Sequence, residues 1–92
     1  MNTFIVREPR AQQVEFGADT LIVHLEDGRT ISTPLEWFPR LRDASATERG
    51  DWRLIGRGVG IHWEALDEDL SVRGLLEGAA AVQGRRVSVA NS

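Results

Sequence analysis

The sequence predicts an α+β domain, with a small antiparallel sheet built from hairpins and short helices on one face. Three observations lead there. Leu21, Val23 and Leu25 take every second position, the period of a strand with one buried face. Asp27-Gly28 follows directly and marks a hairpin, because both residues tolerate positive φ in a two-residue turn. Helix-start signals then recur at close spacing, which suits several short helices better than one long one.

Taken in order, Phe4, Ile5 and Val6 could form an edge strand within a short extended arm. Val14 and Phe16 alternate with polar neighbours before Gly17-Ala18-Asp19 turns the chain. A hairpin from about 20 to 33 follows, with Ile31 facing the core. Thr33-Pro34-Leu35-Glu36 has the form of a capping box with proline at the first helical position. Pro39 breaks that helix, so one turn at 34–38 and another at 39–43 are expected. Ser45-Ala46-Thr47-Glu48 is a second capping box, opening a helix at about 46–51.

Trp52, Leu54 and Ile55 lead through Gly56-Arg57-Gly58-Val59-Gly60 into Ile61-His62-Trp63, which predicts a second hairpin with a tight turn or bulge. Ser71 caps a last helix with Val72, Leu75 and Leu76 on one face and Gly78 at its end. Residues 79–92 have no apolar period and are expected to form a flexible tail beyond a single domain at 1–78.

Composition bounds the function. With 92 residues there is room for one core and one binding surface, and about 60–65% of the unfolded surface becomes buried at this size. The absence of cysteine excludes disulfides, thiolate chemistry and Cys-based metal sites. The net charge of −3 disfavours broad nucleic-acid binding, which needs a basic face. All eleven basic residues are arginine, as a GC-rich coding bias would give. There is no signal-peptide stretch and no run of the ~20 apolar residues a membrane helix needs, so a cytoplasmic location is expected.

Several residues invite a chemical reading. The Gly56/Gly58/Gly60 cluster lacks a following helix, so it reads as a turn or bulge and not as a phosphate cradle. His62 could converge with Asp67 and Asp69 to hold a metal for hydrolysis, although a hydrogen-bonded structural histidine is the plainer reading. His24 is expected on the strand face opposite the core. Asp67-Glu68-Asp69 reads either as a dock for a basic partner or a divalent cation, or as a helix entry, with Glu68 open between the two. Of Trp37, Trp52 and Trp63, at least one belongs to the core, and an exposed one beside Arg40 or Arg57 would anchor an interface. No nucleophile elbow, catalytic carboxylate pair or cofactor motif is recognisable.

Asp27-Gly28-Arg29, Pro34-Leu35, Phe38-Pro39-Arg40-Leu41, Gly58-Val59-Gly60-Ile61-His62-Trp63 and Leu66-Asp67-Glu68-Asp69-Leu70-Ser71-Val72 occur in order, followed by Leu75-Leu76-x-Gly78. Over residues 11–78 this set resembles the bacterial domain-of-unknown-function family numbered 2442. Glu64 departs from the proline that the family often carries after the tryptophan. The resemblance implies a small sheet carrying short helices and no established activity. It further implies proteins found beside small toxin-like partners, some of them with an added DNA-binding domain that is not expected in this chain.

The leading expectation is therefore a non-catalytic protein-interaction module with no cofactor, antitoxin-like, whose partner is the neighbouring gene product. Trp37, Arg40, Arg57, His62, Trp63, Asp67, Glu68 and Asp69 are the candidate contacts. The tail arginines Arg85 and Arg86 could order on binding. One alternative is nucleic-acid contact through Arg40, Arg42, Arg49, Arg53 and Arg57; the other is a metal-dependent hydrolase at His62, Asp67 and Asp69.

Overall fold

The computed structural model describes residues 8–78. Phe4–Val6 and the expected tail at 79–92, with Arg85 and Arg86, lie outside the described residues. The α+β class is as the sequence implies, but the strands divide into two antiparallel sheets of three instead of forming one.

The first sheet comprises β1 (Ala11–Phe16), β2 (Thr20–Leu25) and β3 (Thr30–Pro34), in that order. Val14 pairs with Val23, which in turn pairs with Ile31, so these side chains share the inner face. His24, Glu15 and Ser32 lie on the opposite face, as alternation requires. The β2–β3 turn differs from the two-residue loop expected. Leu25 N–H donates to the Arg29 carbonyl, and only Gly28 has positive φ, at 97°. That makes a three-residue loop with a glycine bulge. The Asp27 carboxylate stays beside it, accepting hydrogen bonds from the backbone and guanidinium of Arg29.

Between the sheets run a 3₁₀ turn (Leu35–Trp37), α1 (Pro39–Arg42) and α2 (Ala46–Gly50). The Thr33 capping box does not form, because Thr33 is committed to β3, paired with Leu21 and buried. A strand residue facing the core has no free side chain to offer a helix. The Ser45 box does form: Ser45 Oγ accepts from Glu48 N–H at 3.1 Å, and Glu48 Oε1 accepts from Ser45 N–H at 3.0 Å. Pro39 opens α1 at its first position, where its missing N–H costs nothing.

The second sheet comprises β4 (Trp52–Ile55), β5 (Gly60–Trp63) and β6 (Glu68–Ser71), with β5 central. Gly56–Gly58 makes the β4–β5 turn, and all three of its residues have positive φ. A methyl group on Gly58 would lie 2.6 Å from the Ala11 carbonyl oxygen, so this turn presses directly on the first sheet.

β6 corrects the expectation that the acidic run enters a helix. Asp67 instead ends the four-residue loop Glu64–Asp67 in the left-handed region, at φ 52°. Aspartate is one of the few side chains that accept that conformation. Glu68 and Asp69 then continue as strand. The helix starts at Val72 (α3, Val72–Glu77), with Ser71 Oγ accepting from Gly74 N–H and Gly78 closing it at φ 86°. Leu75 is buried, but Leu76 is 42% exposed and falls outside the buried stripe expected for it.

The inner faces of both sheets and the short helices share one apolar cluster, with Phe38, Leu41, Ile61 and Trp63 fully buried at its centre. Phe16 of the first sheet meets Trp63 of the second edge-on, with ring centroids 6.3 Å apart.

Candidate functional site

The second sheet carries six of the eight candidate contacts, either on its strands or in its turns. Alternation splits them between two faces. On the inner face, the register aligns Trp52, Trp63 and Glu68 in one row. Trp63 is fully buried and its indole N–H donates to the Arg49 carbonyl at 2.9 Å. It is a core residue and not a surface anchor, which removes it from any partner contact in this fold. Glu68 is 6% exposed, and burial pushes its carboxyl above the usual range, opposed by the nearby positive charge of Arg40. It faces inward because β6 has period two and Leu70 must also reach the core.

Arg40 is exposed but tied down. Its Nη1 donates to the carbonyls of Asp67 at 2.6 Å and Leu66 at 3.4 Å, fastening the β5–β6 turn to α1. The other arginines of this stretch are also held. Arg49 donates to the Leu41 and Arg42 carbonyls and stacks over the Phe16 ring at 5.5 Å. Arg42 pairs with Asp43 and Arg53 with Glu64. Only Arg57 of the five carries a guanidinium without a hydrogen bond or ion pair among the described residues. It stands exposed at the tip of the β4–β5 turn in the left-handed region, at φ 61°. Trp37 is half-buried against the core and edge-on to Phe38.

On the outer face, Arg53, His62 and Asp69 form a row across all three strands. His62 Nδ1 lies 2.6 Å from Asp69 Oδ1, and Nε2 lies 3.0 Å from Glu64 Oε1. The Arg53 guanidinium is 3.3 Å from the same Glu64 oxygen. Hydrogen bonds to the two carboxylates raise the His62 pKa above the ordinary histidine value, Asp69 contributing most and Glu64 next. The neighbouring outer row holds Ile55, Gly60 and Ser71. The Ile55 side chain, 40% exposed, lies over Gly60 and fills the space a Cβ would occupy.

The trio proposed for a metal is not assembled as expected. His62 meets Asp69 but not Asp67, and its second carboxylate is Glu64. Among the described residues no group of three or more such side chains is arranged to hold an ion. An imidazole donating from both nitrogens also has no lone pair to give a metal. Glu64 entered the sequence reading only as a departure from a family proline. The His62-x-Glu64 spacing, which brings a carboxylate just past the strand end back to the His62 side, is the signal that finds it.

His24, the other histidine, sits on the outer face of the first sheet. Its Nδ1 is 3.3 Å from Thr30 Oγ1; Glu15 Oε2 is 3.2 Å from Nε2 but off the line of a hydrogen bond. A cleft of about 370 Å³ beside the first sheet is lined by Asp19, Glu36, Arg42 and Arg49, together with Ala18, Pro34 and Leu35. Both of its arginines are committed to the internal contacts described above.

These features define a small α+β protein of paired three-stranded sheets, with its polar signature residues built into the scaffold. The chain belongs to the family described as "Protein of unknown function (DUF2442)", which matches residues 11–81. It is similar to a protein of unknown function from Rhodospirillum rubrum, known from a crystal structure. The two share 35% identity and a TM-score of 0.71, over 84% of this chain and 95% of that one. An uncharacterised protein from Chromobacterium violaceum, solved by NMR, shares the fold at 21% identity and TM-score 0.68, over 80% of this chain and 70% of that one. No curated protein matches the chain. No helix among the described residues is long and apolar enough to cross a membrane.

Proposed function

We propose that this protein is a non-catalytic protein-binding module, antitoxin-like, that recognises a neighbouring gene product through the outer face of its second sheet. One observation carries the reading. Ile55 is a large exposed aliphatic side chain on an open sheet face, flanked by Arg53, His62 and Asp69 and by Arg57 at the adjoining turn. An apolar spot within a rim of both charges has the anatomy of a small interface. The scaffold supports the same reading from the other side: Arg40, Arg49, Trp63 and Glu68 are used internally, which leaves recognition to what faces outward.

The nucleic-acid alternative is less favoured, because the net charge is −3 and Arg40 and Arg49 spend their guanidinium donors on backbone carbonyls of the same chain. Co-expression of the tagged full chain with the adjacent gene product tests the proposal. Wild type captures the partner, whereas Ile55→Asp and Arg57→Ala each weaken capture more than about tenfold, or about 1.4 kcal/mol. Capture that is absent for wild type, or equal for all three, overturns the reading. Melting curves must show that both variants still fold.

A further inference from the structure

The geometry points to His62 as a proton-operated latch that fastens the Glu64–Asp67 turn to the outer face of the second sheet. It is independent of the partner reading, since it concerns the unbound protein alone.

A neutral imidazole has one N–H and one lone pair. Here both ring nitrogens face carboxylate oxygens, Asp69 at 2.6 Å and Glu64 at 3.0 Å. Both contacts are hydrogen bonds only in the imidazolium form. Losing the proton leaves a lone pair opposite one carboxylate, and the two partners are unequal. Asp69 is the cross-strand neighbour of His62 in the register, so the sheet itself holds it there. Glu64 belongs to the turn, is 76% exposed in its side chain and can swing into water. The remaining N–H therefore stays with Asp69, and Glu64 lets go.

The charged groups facing His62 are few. β4 contributes Arg53, which approaches Glu64; β6 contributes Asp69; the turn contributes Glu64. Asp67, also in the turn, makes no ion pair with it. With the proton on, Arg53, His62, Glu64 and Asp69 together carry no net charge, and without it the set is negative. Arg40 holds the far end of the same turn through backbone carbonyls and does not titrate with it. The turn thus has one permanent anchor and one that depends on pH.

Heteronuclear NMR of the full chain, titrated from about pH 5 to about pH 9, tests this. The His62 ring should titrate above the ordinary histidine value and settle with its remaining proton on Nδ1. The amides of Glu64 to Asp67 should shift with the same midpoint. Asp69→Asn should lower that midpoint more than Glu64→Gln does; both sites are exposed, so folding is not at risk. In His62→Gln the turn amides should stop responding in that range. An ordinary midpoint untouched by either carboxylate variant overturns the latch, as do turn amides that ignore the His62 titration.

Discussion

The two sheets have the same strand count and opposite construction. The first is held by pattern: Val14, Leu21, Val23 and Leu25 point inward, polar residues point outward, and its β2–β3 turn needs one glycine. The second is held by particular side chains. It buries a tryptophan whose indole N–H donates to a carbonyl and a glutamate whose carboxyl burial pushes above the usual range. It also has turns that use left-handed backbone at Gly56, Arg57, Gly58 and Asp67. A repeated apolar pattern tolerates exchange of its members, whereas single-residue devices do not. Substitutions should therefore be felt more sharply in the second sheet.

The largest effect is expected at Trp63. Trp63→Ala should cost about 3–5 kcal/mol, because it empties the point where both sheets meet and leaves the Arg49 carbonyl without its donor. Chemical denaturation measures this directly, and a loss below about 2 kcal/mol would mean the sheets do not depend on that contact. Next comes a matched pair of glycines. Gly58→Ala combines positive φ with a Cβ 2.6 Å from the Ala11 carbonyl oxygen and should cost about 2–4 kcal/mol. Gly28→Ala has a similar φ but open space around it and should cost about 1 kcal/mol. Equal losses in the two variants would erase the contrast between the sheets.

Ser45→Ala should remove about 1 kcal/mol by opening the capping box that starts α2, the helix that carries Arg49. The smallest effect changes with pH. Burial raises the Glu68 pKa in the folded state, so its contribution is most favourable below the unfolded value and is lost as pH rises through the folded one. Glu68→Gln should therefore raise the melting temperature near neutral pH and lose that advantage in acid. A uniform decrease at every pH would show that Arg40 needs the carboxylate more than the core resents it.

The same contrast explains what could be read from the sequence. Alternation located β2, and the Ser45 signal located α2, because both act within a few residues. Thr33-Pro34-Leu35-Glu36 carries an equally good local signal, yet tertiary pairing with Leu21 overrides it. β6 was hidden because Asp67, Glu68 and Asp69 are poor strand formers, and only the hairpin register shows that Glu68 points inward. At the site, the sequence points to His62 and Asp69 but not to Glu64, because only the four-residue turn that brings His62 and Asp69 into register shows which carboxylates meet the imidazole.

Backbone amide mapping of the complex with the neighbouring gene product tests the division of labour most directly. The shifts should concentrate on Arg53, Ile55, Arg57, Gly60 and Asp69, while the outer strand positions of the first sheet stay still. Shifts gathered instead around Glu15, His24 and Ser32 would contradict the assignment of recognition to the second sheet.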